Sequence, residues 1–213
     1  MIRIPARSFI VTVAMLALAT AGRAQFIAGP RLAPGQTLRG RFVQTRRLIG
    51  LPSPLTSDGS FVLAPGRGLI WRLEHPLQTT TVITPSGIRQ LINGSQVQQI
   101  EAAKVPFIAS FYDMLGGTLA GDLAALRRDF AIKTIGDRNS WNTVLTPIRP
   151  DDPVAAMLAS IVITGGKMVD SVSITRANGD TERLTFLQQT ISSLPLSSDD
   201  QRLLSNQEIQ PAG

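Results

Sequence analysis

The chain has 213 residues, with 21 Lys plus Arg against 15 Asp plus Glu, one histidine and no cysteine. The missing thiol excludes thiol catalysis, disulfides, a lipid-modified N-terminal cysteine and Cys-ligated metal, and one histidine is a poor basis for a transition-metal site. Without residues 1–24, which carry Arg3, Arg7 and Arg23, the surplus of positive charge falls from +6 to +3, too modest to single out nucleic acid as a partner.

The first segment, 1–24, has a basic start followed by the apolar run Phe9–Ala21 and small-residue cleavage positions after Ala21 or Ala24. It reads as a secretory signal peptide, with an uncleaved anchor helix as the alternative, and it implies export to the periplasm. Residues 25–36 (QFIAGPRLAPGQ) carry two Pro and two Gly and predict an extended lead-in.

From Thr37 the hydrophobic period is two. Leu38 and Phe42 share a face with Gly40 and Gln44, while Arg39, Arg41 and Arg47 take the other face. Asp58-Gly59 and Pro65-Gly66 turn the chain, and Leu69, Trp71 and Leu73 then share a face opposite Ile70 and Arg72. Thr79–Thr84 is β-branched throughout, Ile88–Ile92 follows a Pro-Ser-Gly turn, and Asn93-Gly94 signals a hairpin into Gln96–Glu101.

The period then becomes helical. Phe107, Ile108, Phe111, Met114 and Leu115 form one stripe between Pro106 and Gly116-Gly117. A second short helix is expected on Leu119, Leu123 and Leu126, which puts the helical insertion at about 105–127. Strands are predicted again at Phe130–Ile135, Trp141–Pro147, Ile161–Thr164, Met168–Thr175 and Thr181–Gln188. Asp151-Asp152-Pro153 suits a helical turn, and the segment 191–213 reads as a tail with a weak helix near Gln201–Leu204.

About eleven strands joined mostly by tight turns predict one mainly β domain over 37–190. Such an antiparallel sheet must curl into an incomplete barrel, with the helices as a lid over its open end. On that reading Phe42, Phe61, Leu69, Trp71, Leu73 and Val82 line a hydrophobic cavity, and Phe107, Ile108, Phe111, Met114 and Leu115 cover it. An ordinary core explains the same residues, but a barrel cavity under an apolar helix also accommodates an acyl chain.

Reactive chemistry is sparse. His75 stands alone at a strand end, without a G-x-S-x-G or S-x-x-K motif, so it reads as an exposed loop histidine rather than a base. Asp151-Asp152 and Asp199-Asp200 lack the alternating oxygen ligands of a calcium loop. No enzymatic activity and no cofactor are expected. The cluster Arg39, Arg41, Arg46 and Arg47 is either a solvated face that blunts edge pairing or a docking patch for an acidic partner or lipid headgroups.

Phe42-x-Gln44, Ser57-Asp58-Gly59-x-Phe61, Leu69-x-Trp71, Pro76, Val82-Ile83-Thr84-x-x-Gly87, Pro106-Phe107, Val144-Leu145-Thr146-Pro147 and the hairpin from Ile161 to Phe186 follow one another in the order and spacing of the LolA family. The chain resembles these periplasmic outer-membrane lipoprotein carriers over about 37–190. Arg46-x-Leu48 with Pro54-Leu55 is most similar to LolA-like proteins that accompany lipid or pigment export. The resemblance implies an unclosed eleven-stranded barrel with a helical lid. It implies a monomer that takes acylated lipoprotein or lipid from an inner-membrane exporter to an outer-membrane acceptor. It also implies an arginine that latches the lid, for which Arg67 and Arg41 are the candidates. Two departures stand out: 25–36 lacks the amphipathic helix with which such carriers begin, and Arg67 lies four residues before Trp71, a spacing unlike the family's. Other readings are a carrier dedicated to a glycolipid or polyene lipid, a lipid-sensing binding module, or an enzyme with His75 as base.

Overall fold

The computed structural model describes residues 32–93, 95–101, 125–149 and 156–205. The expected signal peptide, most of the lead-in, the stripe from Phe107 to Leu115, Leu119, Leu123 and Asp151-Asp152-Pro153 lie outside these residues.

Eleven strands form one antiparallel sheet. They are β1 (Thr37–Arg47), β2 (Leu55–Ala64), β3 (Gly68–His75), β4 (Thr79–Thr84), β5 (Gly87–Ile92), β6 (Ser95–Glu101), β7 (Phe130–Gly136), β8 (Trp141–Pro147), β9 (Leu158–Gly165), β10 (Val169–Arg176) and β11 (Thr181–Ser192). The spatial order is β6-β5-β4-β3-β2-β1-β11-β10-β9-β8-β7. Consecutive strands pair with each other except β6 and β7, and at the centre the first strand also pairs with the last. β6 and β7 are the two free edges, so the sheet is not closed. One α-helix, α1 (Ser198–Leu204), and a 3-10 turn at Ala125–Arg128 complete the described elements. The expected architecture of an incomplete antiparallel barrel is therefore found.

Local chemistry explains the hairpins. Between β2 and β3 the Arg67 amide donates to the Ala64 carbonyl at 3.0 Å, and Gly66 takes φ +74°, which a residue with a Cβ adopts at a cost. At the β10–β11 turn the Arg176 amide donates to the Asp180 carbonyl at 2.8 Å.

The alternation predicted for β1 and β3 holds, and the curl gives its two faces different neighbours. The concave face gathers Leu38, Phe42, Phe61, Leu69, Ile83, Trp141, Leu145, Ile161, Leu184 and Phe186 into one core, with Leu126 of the 3-10 turn against it. The convex face carries a second cluster: Val62, Ile70, Val82 and Leu91 under Leu196, Leu203 and Leu204.

β11 runs four residues beyond the expected end at Gln188. Between Arg39 and Arg41 of β1 the register shifts, so that Gly40 faces an extra residue on β11, and Gln188 takes φ +50°. This bulge exchanges the faces, so Phe186 and Ile191 both meet the concave core although an odd number of positions separates them. The strand therefore passes the expected domain boundary at 190. The expected tail also contributes structure, because α1 packs on the convex face. Ser197 caps α1 by accepting from the Asp200 amide at 3.1 Å. At its other end buried Arg89 donates to the carbonyls of Leu203 and Ser205.

Candidate functional site

The site is built on a pair of glycines. On the concave face Phe42 of β1 lies opposite Gly59 of β2, and Phe61 of β2 lies opposite Gly40 of β1. A Cβ on Gly40 would approach the Phe61 ring to 2.7 Å, and one on Gly59 would strike the Arg72 carbonyl oxygen at 1.8 Å. Gly40 thus leaves room for the Phe61 ring, and Gly59 allows close approach of the β3 backbone. Trp71 of β3 completes the set: it stacks on Phe42 with ring centroids 3.8 Å apart and 25° between planes, and lies 6.0 Å from Phe61. Phe186 of β11 meets Phe61 and Trp71 edge-on at 5.5 and 6.3 Å. Four rings from β1, β2, β3 and β11 form one aromatic floor. Phe42 and Phe61 are fully buried, whereas Trp71 and Leu73 are only partly covered, as are Ile88, Ile132, Met168 and Ile174 around the same core.

The floor becomes polar toward the end of the sheet where β1 finishes. There Glu182 accepts from Gln44 Nε2 at 2.7 Å and pairs with Arg46 at 3.4 Å and Arg176 at 3.5 Å, while Ser57 donates to Gln44 Oε1 at 3.2 Å. The concave face therefore offers an apolar surface ending in hydrogen-bonding and charged groups, the polarity of an amphiphile.

The convex face is tied by charge. Arg39 Nη1 reaches Asp200 Oδ2 at 2.7 Å, and Arg72 Nη2 reaches Asp200 Oδ1 at 2.8 Å. Burial raises the Asp200 pKa, but hydrogen bonds from Arg72 and Arg39 outweigh it and hold the carboxyl below its ordinary value. Arg41 pairs with Glu74 at 2.9 Å and Asp58 at 3.3 Å. The hydrogen bond to Glu74 raises the Arg41 guanidinium, and the same bond lowers the Glu74 carboxyl.

Of the expected cavity residues, Phe42, Phe61, Leu69, Trp71 and Leu73 come together on the concave face. Val82 does not. It packs on the convex face with Ile70, its partner across the β3–β4 register, and Ile83 takes the concave position instead. Phe107, Ile108, Phe111, Met114 and Leu115 lie outside the described residues. Neither latch candidate is on the floor: Arg41 shares the convex face with Arg72 and Glu74, and Arg67 is exposed in the β2–β3 turn. Sequence reasoning missed Phe186 and Glu182. Both follow the period of β11, but only the pairing of β11 with β1 brings them to Phe42 and Gln44.

Little else in the described residues offers reactive chemistry. His75 is largely exposed, with Nδ1 3.2 Å from Asp58. No cluster of three metal-ligating side chains occurs among the described residues. Two recesses formed by described residues, of about 180 and 360 Å³, lie elsewhere, along β5–β6 and at the β7–β8–β9 turns.

No curated protein matches the chain in sequence. Among solved structures, the chain is similar to a LolA superfamily protein from Nitrosomonas europaea, at 9% identity and a TM-score of 0.43, over 81% of this chain and 91% of that one. It is similar to a chain of the Pseudomonas aeruginosa MucA/MucB complex at 14% identity and a TM-score of 0.44, over 78% of this chain and 55% of that one. It is also similar to LprF from Mycobacterium bovis at 13% identity and a TM-score of 0.32, over 77% and 89%. The assignment rests on the sequence match that spans residues 18–194 and agrees with the open eleven-stranded sheet. The chain belongs to the outer membrane lipoprotein carrier protein LolA-like family.

Proposed function

We propose that this protein is a non-enzymatic periplasmic carrier that receives the acyl chains of a lipoprotein or lipid on the concave face. It takes its cargo from an inner-membrane exporter and yields it to an outer-membrane acceptor. The supporting observation is the aromatic floor of Phe42, Phe61, Trp71 and Phe186 inside a sheet whose edges β6 and β7 stay apart. Each methylene removed from water contributes about 0.8 kcal/mol, so a free acyl chain leaves a bilayer only for an equally apolar surface. An open sheet supplies that surface without enclosing the cargo, and release stays possible.

The segment between β6 and β7 fits the role of lid by its anchor points. Glu101 ends β6 at the end of the sheet where β1 starts, while the 3-10 turn leads into β7 at the end where β1 finishes, on the opposite edge. Residues 102–124 of the sequence separate those two points. Phe107, Ile108, Phe111, Met114 and Leu115 belong to this segment. Packing of this stripe on the floor would compete with cargo and favour hand-over.

Native mass spectrometry after gentle extraction tests the reading. The protein should retain an acylated ligand, whose mass also separates a lipoprotein from a dedicated glycolipid or polyene lipid. Protein that carries no lipid and neither takes up nor releases an environment-sensitive hydrophobic dye defeats it. Phe111→Ala should change dye affinity; an unchanged affinity removes the stripe from the lid.

A further inference from the structure

The two ends of the curled sheet differ in a way that cargo binding does not require. Among the described residues nine large hydrophobic side chains are exposed, and six of them sit at the end where β1 finishes: Ile49, Leu51, Leu55, Leu77, Ile148 and Met157. They come from the β1–β2 loop and the start of β2, the β3–β4 loop and the β8–β9 connection, which are spread across the sheet order from β4 to β8. The turns at the other end are Pro65-Gly66-Arg67, Pro85-Ser86, Asp137 to Ser140 and Gly166-Lys167-Met168, composed mainly of polar, charged and turn-forming residues.

This apolar rim is held in place. The Ile49 amide donates to Asp180 Oδ1 at 2.9 Å, and its side chain lies against Gly179. The Leu51 amide donates to the Leu48 carbonyl at 3.1 Å, and the Ala177 amide donates to the Met157 carbonyl at 3.2 Å. The β1–β2 loop, the β10–β11 turn and the start of β9 are thereby linked, yet Ile49 remains 73% exposed. Apolar side chains fixed outward by backbone bonds are a surface, not a fraction of core that failed to fold inward.

Charge at the same end also has a direction. In the pairs Arg46–Glu182, Arg176–Glu182 and Arg149–Asp129 the guanidinium side chains are 42, 36 and 56% exposed, while the carboxylates are 13, 13 and 17% exposed. Arg47 and Arg127 are exposed beside them. In these pairs solvent meets the guanidinium groups more than the carboxylates around the apolar rim. The other acids nearby are Asp180, accepting from the Ile49 amide, and Asp58 and Glu74, paired with Arg41. Anionic headgroups fit the guanidinium groups and the acyl boundary fits the rim.

The geometry points to a membrane-docking surface: the rim of Ile49, Leu51, Leu55, Leu77, Ile148 and Met157 enters the interface of an anionic bilayer, with Arg46, Arg47, Arg149 and Arg176 at the phosphate level. The inference does not depend on the cargo reading, since it uses loops outside the aromatic floor. Docked this way, the polar end of the concave face, with Gln44, Arg46 and Glu182, opens toward the bilayer.

Flotation of the purified protein with vesicles of phosphatidylglycerol and phosphatidylethanolamine tests it, with phosphatidylcholine vesicles as the neutral comparison. The protein should float with the anionic vesicles, less so at high salt. Ile49→Ser with Leu77→Ser should lower the bound fraction about tenfold, with an unchanged near-ultraviolet spectrum, whereas Leu194→Ser at the other end should leave it unchanged. Leu77→Trp should be quenched by brominated lipid beyond the wild-type signal, and Leu194→Trp should not. The proposal is overturned if the wild type stays in the soluble fraction or the double variant floats equally well. It is also overturned if Leu194→Trp is quenched as strongly as Leu77→Trp, or if the double variant instead abolishes a dimer that has no affinity for vesicles.

Discussion

Phe42 and Trp71 stack at 3.8 Å although β2 runs between their strands. Adjacent strands lie about 4.8 Å apart, so side chains on next-nearest strands normally have a residue between them. Here that residue is Gly59, which faces Phe42 in the β1–β2 register. A Cβ at Gly59 would strike the Arg72 carbonyl of β3.

Gly59→Ala should therefore be among the most damaging single substitutions in the chain. A Cβ placed 1.8 Å from a backbone oxygen forces β2 and β3 apart at the bulge beside Asp58. The expected loss is about 3 kcal/mol or more, read in denaturant unfolding. Gly40→Ala meets the Phe61 ring and the Gln189 side chain rather than backbone and should cost less.

The two stacked rings should separate stability from binding. Phe42→Ala empties a fully buried position and should cost about 3–5 kcal/mol. Trp71→Phe keeps an aromatic ring at a partly exposed position and should cost about 1 kcal/mol, lowering the melting temperature by about 2–4 °C. On the carrier reading the latter variant still folds but binds a hydrophobic dye more weakly. Equal dye affinity in wild type and Trp71→Phe would remove Trp71 from the binding surface.

Asp200 should make the convex face sensitive to acid. Its folded pKa is depressed, so its contribution is complete above the unfolded value of about 3.9 and is lost as pH falls through the folded value. Asp200→Asn should destabilise the protein by about 2 kcal/mol at pH 7, because Arg39 and Arg72 lose a buried partner but still reach water. The difference from wild type should shrink as pH falls below about 4. A constant difference between pH 7 and pH 3 in thermal unfolding would contradict this.

His75→Ala should change little. The side chain is 73% exposed and meets only Asp58 among the described residues, so the cost should stay within about 0.5 kcal/mol. Dye binding should equal wild type, and a deletion strain should be fully complemented. Loss of complementation by a folded variant would revive a chemical role for the histidine.

Much of the sheet was legible because strands and turns are local. Leu69, Trp71 and Leu73 alternate with Ile70 and Arg72, and that alternation assigns faces correctly. It failed at Thr79–Thr84, where every residue is β-branched. Val82 and Ile83 are both buried, on opposite faces, at 0 and 2% exposure. A run with no polar alternation contains no signal for which residue points inward. The end of β11 was missed for a related reason, since the bulge at Gln188 interrupts the period.

The sequence by itself determined that this is one sheet of short antiparallel strands, with little reactive chemistry and the order of motifs of a LolA-like carrier. Those properties reside in spacing along the chain, where period and turn residues act over a few positions. Tertiary structure alone decided the composition of the floor and the place of the tail. Phe186 joins Phe42 and Phe61 only because β11 returns to pair with β1, and Asp200 meets Arg39 and Arg72 only because α1 folds back over the convex face. Contacts between residues more than a hundred positions apart depend on how the whole sheet curls, and no local pattern records that.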